Sequence, residues 1–146
     1  MYRYIVAMSV DKQKIQNDLI DSGKQTVLHI IKLVLYPDSP SVNHWKQEIY
    51  SFLHDVPKLK GSNKIPEASF IFNAISSWDD MIDKLVIEVQ DEEEVESSVE
   101  VNIDQLQTMI SEYHRWAADE LSSSGILRRS DVYSKIDEIM NKGGNT

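Results

Sequence analysis

Apolar residues recur at steps of three and four along five stretches of this chain, and that spacing constrains the fold more than any other feature. The most regular case is Phe70, Ile71, Ala74, Ile75, Trp78, Met81, Ile82, Leu85 and Val89, which share one side of a 3.6-residue helix. A hairpin pairing 85–90 with 95–103 is the competing reading, but a stripe three turns long favours helix. Ser77, with Asp80 three residues on, has the spacing of a helix start, so this stretch reads as one helix or as two with a corner.

The other stripes lie near 11–36, 41–55, 102–121 and 130–140. Gly23 bends or splits the first, since Gly costs about 1 kcal/mol relative to Ala inside a helix. Pro37 and Pro40 end it. Pro66 opens the third helix and Asn102 caps the fourth, with Gln105 three residues later. Helices joined by short polar loops predict an all-α antiparallel bundle of about five helices. Tyr2, Tyr4, Val6 and Met8 alternate and suggest a short N-terminal extended segment. The 146 residues suit one domain spanning 1–146, with 1–9 and 142–146 loosely ordered. Trp45, Trp78 and Trp116 each fall on a different stripe and are expected to meet in one core.

Cysteine is absent, which excludes disulfides, thiolate metal ligands and thiol catalysis. The longest apolar stretch, 27–36, contains His29 and Lys32 and falls well short of the roughly 20 residues of a membrane span. A soluble, cytoplasmic protein is the expectation.

Charge is unevenly placed. Residues 1–75 carry a net +2 and residues 76–146 a net −11. Asp79, Asp80, Asp83, Glu92, Glu93, Glu94 and Glu96 are expected to form one anionic surface. Such a field disfavours nucleic acid and anionic lipid and attracts a basic protein partner. A solvated acidic loop between helices is the plainer account of the run 91–96. Lys58, Lys60 and Lys64 have no aromatic residue among them on which a nucleic-acid base would stack.

His29, His44, His54 and His114 show no paired helical metal-ligand spacing. However, Phe52-Leu53-His54-Asp55-Val56-Pro57-Lys58 resembles the central motif of the HD superfamily of metal-dependent phosphohydrolases. That resemblance implies an all-helical enzyme holding a divalent metal through His29, His54, Asp55 and Asp104. Metal-bound water would then attack a phosphate ester. The other account of His54 and Asp55 is a polar helix terminus, with His54 near the negative end of the helix dipole. No nucleophile elbow or glycine-rich phosphate loop occurs. The sequence therefore points first to a non-catalytic acidic helical module, of adaptor, inhibitor or immunity type, that needs no cofactor and binds a basic protein. Self-association through the apolar face of the last helix stays open beside it.

Overall fold

The computed structural model describes residues 9–93 and 95–144. Glu94 and the alternating residues 2–8 lie outside the described residues. The chain forms β1 (Ser9–Val10), α1 (Lys12–Leu35), α2 (Val42–Phe52), β2 (Lys58–Leu59), α3 (Ala68–Ile75), a 3-10 turn (Asp79–Met81), α4 (Ile82–Glu93), α5 (Ile103–Ser124) and α6 (Arg129–Gly144). The architecture is the expected all-α bundle, and residues 85–93 lie in a helix rather than in a hairpin strand. Six α-helices appear among the described residues because the third stripe breaks at Ser76 and Ser77. There the Ser77 hydroxyl donates to the carbonyl of Ala74 at 2.8 Å, competing with the continuing ladder. Residues 142–144 form the end of α6.

The first helix does not split at Gly23. It runs unbroken from Lys12 to Leu35 and packs against α2, α3, α4 and α5. Thr26 to Leu33 are consequently all buried, a pattern of a helix covered on every side. His29 and Lys32 are carried inside with them.

Two small pairings fasten the long connections. The polar loop after α2 contains β2, which lies parallel to β1 with Ser9 opposite Lys58 and Val10 opposite Leu59. Asp55 bridges Ile126, and the Leu127 amide donates to the His54 carbonyl at 2.7 Å. The turn at that bridge needs Gly125, which closes α5 at φ 79 in the left-handed region. At the other end of α5 the Asn102 side chain accepts from the Gln105 amide at 3.0 Å, the expected cap.

The three tryptophans share one core, as expected, with Trp45 inside it and Trp78 and Trp116 packed against it. Trp45 is buried near Lys32, Trp78 is half-buried under Lys24, and Trp116 leans on Tyr113. Indoles need somewhere to put a polar edge, and the half-exposed margins at Trp78 and Trp116 provide it.

Helices α5 and α6 are tied by charge. Lys135 and Lys142 each reach both Glu112 and Glu138 at 3.1–3.3 Å. The hydrogen bond from Lys135 is the main reason the Glu112 carboxyl titrates below its ordinary value of 4.5, with Lys142 adding to it against the opposing effect of burial. A carboxyl depressed on folding stabilises above its unfolded pKa and loses that contribution as pH falls through the folded one. The stability difference between the native chain and Glu112→Gln should therefore be full at pH 7 and shrink below about pH 4.5. Urea unfolding across pH 7 to 3 measures it, and a pH-independent difference would refute the linkage.

Candidate functional site

Helix α4 turns Ile82, Leu85, Val86 and Val89 into the core, so Asp83, Lys84, Ile87, Glu88 and Asp91 are left outside. Asp83, Ile87 and Asp91 follow at four-residue steps and line one side of the helix. Asp80 is exposed on the 3-10 turn just before it. Of three large apolar side chains left exposed among the described residues, two belong to this segment: Ile87 at 58% and Val95 at 66%. Glu92 and Glu96 are exposed and Glu93 half-buried.

The loop after α4 is pinned to the end of α1. The Tyr36 hydroxyl donates to the Val95 carbonyl at 2.7 Å, and the Ser97 hydroxyl donates to the Leu35 carbonyl at 2.6 Å. The second bond serves one of the carbonyls a helix end leaves unpaired. Burial, and then Glu93, raises the Tyr36 phenol above its ordinary value. Beside this clasp a pocket of about 320 Å³ opens between α1, the loop, α5 and α6. Leu106 and Met109 are its buried floor.

Asp79, expected on the anionic surface, is not part of it. It is buried, with its carboxylate oxygens 3.2 and 3.3 Å from Nδ1 of the fully buried His114. The corner between α3 and α4 turns it inward toward α5. Its burial belongs to the corner, which reads from sequence only as a break and not as a direction.

The proposed metal ligands are placed apart. Nε2 of His29 lies 2.7 Å from Glu48, and its Nδ1 lies 2.8 Å from the Gln25 carbonyl. His44 contacts the second oxygen of Glu48, so one carboxylate sits between two imidazoles. His54 is half-exposed after α2, with Nδ1 on the Ser51 carbonyl at 3.0 Å and Asp55 at 3.6 Å. Asp104 is exposed in the first turn of α5. Among the described residues no three His, Asp or Glu side chains converge on a point that could hold a metal ion. The set expected from the HD resemblance is thus not assembled.

His44 and Glu48, four residues apart, share one face of α2, and His29 and Lys32 of α1 meet the same cleft. Lys32, buried in α1, reaches Glu92 of α4 at 2.9 Å. This cleft of about 350 Å³ between α2 and α4 is lined by charges that already satisfy one another. Comparison of the chain with protein families, with curated proteins and with solved structures finds no match. Among the described residues no helix is long and apolar enough to cross a membrane.

Proposed function

We propose that this chain is a non-catalytic interaction module, of adaptor, inhibitor or immunity type, that binds a basic amphipathic segment of a partner protein. The observation that carries the reading is the coincidence of exposed apolar side chains with carboxylates. Ile87 stands between Asp83 and Asp91 on one helix side, and Val95 follows beside Glu96. Carboxylates alone favour solvent, whereas an apolar centre with a charged rim is the composition of a docking face. Its sign calls for lysine and arginine on the partner. A metal-dependent phosphohydrolase has no support from the scattered His29, His54, Asp55 and Asp104.

The test is the affinity of a labelled lysine–leucine amphipathic peptide, measured by fluorescence anisotropy as salt is raised. Binding should weaken steeply as the screening length falls below about 8–10 Å. Asp83→Lys, Glu88→Lys and Asp91→Lys together should lower affinity at least about tenfold. Reversing three exposed carboxylates elsewhere, Asp119, Glu120 and Asp131, should have little effect. Equal loss in both triple variants would reduce the attraction to net charge and refute the α4 face.

A further inference from the structure

We infer that the pocket beside the acidic loop receives one bulky apolar side chain of the partner's basic segment, an anchor that fixes its register. The inference rests on the proposed docking function and adds to it a specific recognition point.

The pocket has the form of an anchor site. Leu106 and Met109 close its floor, while Val34, Pro37, Val99 and Met140 form half-buried or exposed walls. Its volume, about 320 Å³, lies at the small end of the range for ligand pockets, which suits one side chain rather than an extended chain. Two thioethers face it, and methionine adapts to aromatic or aliphatic guests. No Lys or Arg lines it. Glu100 is on its lining, and exposed Glu96 and Asp104 stand within a few residues of it in the chain.

An apolar guest arriving here therefore meets the Glu100 carboxylate and no cation on the lining itself. Acidic or neutral-polar flanks would be repelled or gain nothing, so the complementary occupant is apolar at one position and basic on either side. Continuity with the acidic surface supports the same occupant. Pro37 also lines the adjoining cleft, which contains Glu93, Val95 and Glu96. A segment along α4 and the loop is led toward the pocket mouth.

The test uses two lysine-rich peptides of equal charge that differ at one central residue, Phe in one and Ala in the other. The Phe peptide should bind at least about tenfold tighter, the return for burying one large side chain. It should also shift the methyl resonances of Met109 and Met140, but not that of Met81, in a methionine-methyl labelled sample. Val99→Trp fills the pocket from its wall and should erase the preference, bringing the Phe peptide's affinity down to that of the Ala peptide. Met140→Trp is the second variant should the first fail to fold.

Equal binding of the two peptides with unmoved Met109 and Met140 would overturn the anchor while leaving the acidic-face reading intact. Absence of binding by either peptide at low salt would remove that underlying reading as well. N-acetyl-phenylalaninamide binding as tightly as the Phe peptide would overturn the anchor in favour of a free small-molecule site. A dimer in sedimentation that neither peptide dissociates would assign the pocket to a second copy and also overturn it.

Discussion

Gly23→Ala destabilises the protein by about 3 kcal/mol or more, against the direction that helix propensity gives. Alanine at an exposed helix interior gains about 1 kcal/mol over glycine. Here a Cβ would fall 2.1 Å from the carbonyl oxygen of Ile75 and 2.7 Å from that residue's carbonyl carbon and Cα. These are backbone atoms at the end of α3, so no rotamer change relieves the overlap. Either α3 moves away from α1 or α1 distorts, and both open the central contact of the bundle. Chemical unfolding of Gly23→Ala beside Asp21→Ala provides the comparison, because Asp21 is exposed on the same helix. The second variant should stay within about 0.5 kcal/mol of the native chain. A Gly23→Ala protein as stable as the native one would show that the two helices do not approach this closely.

The same glycine marks where sequence reasoning succeeds and where it stops. Local signals placed the ends of α1 at Asp11 and Tyr36 and the cap at Asn102, because each end is decided by neighbours in the chain. A glycine in a long apolar pattern reads locally as a weak point, and only the partner helix reveals it as a contact. Lys32 and His29 follow the same rule. Their burial comes from four helices closing round α1, and their partners Glu92 and Glu48 lie 60 and 19 residues away.

Exposed Asp80, Asp83, Glu92 and Glu96 were legible from the apolar side of their helix and from the loop composition. Buried Asp79 was not, since a corner decides its direction. The HD-like motif shows the reverse failure. Adjacent residues reproduce a family's spelling, but His29 is held by Glu48, Asp104 begins α5, and His54–Asp55 joins the bridge to Ile126. The pocket draws on three separate stretches, 34–37, 99–109 and 140, so no single window of sequence contains its signal.

The sharpest consequence of the inward corner concerns neighbours with opposite fates. His114→Leu should cost about 3 kcal/mol or more, because it leaves the Asp79 carboxylate buried without its imidazole. Asp79→Ala should cost less, roughly 1–3 kcal/mol, the range for a buried polar group left without its hydrogen-bond partner. The double variant should fall well short of the sum, with a coupling of about 1 kcal/mol or more measured by urea unfolding at pH 7. Strict additivity would mean that the two side chains do not interact. Tyr113, the residue before His114, is also fully buried, yet its hydroxyl meets no protein partner among the described residues. Burial alone drives its phenol far above the ordinary value of 10.0, so it stays neutral across the working range. Tyr113→Phe removes an unanswered polar atom and should be neutral or stabilising by up to about 1 kcal/mol. A loss of that size instead would show that the hydroxyl is bonded. One step along α5 thus reverses the sign expected for deleting a buried polar group, because the bundle supplies a carboxylate to one ring and only apolar packing to the other.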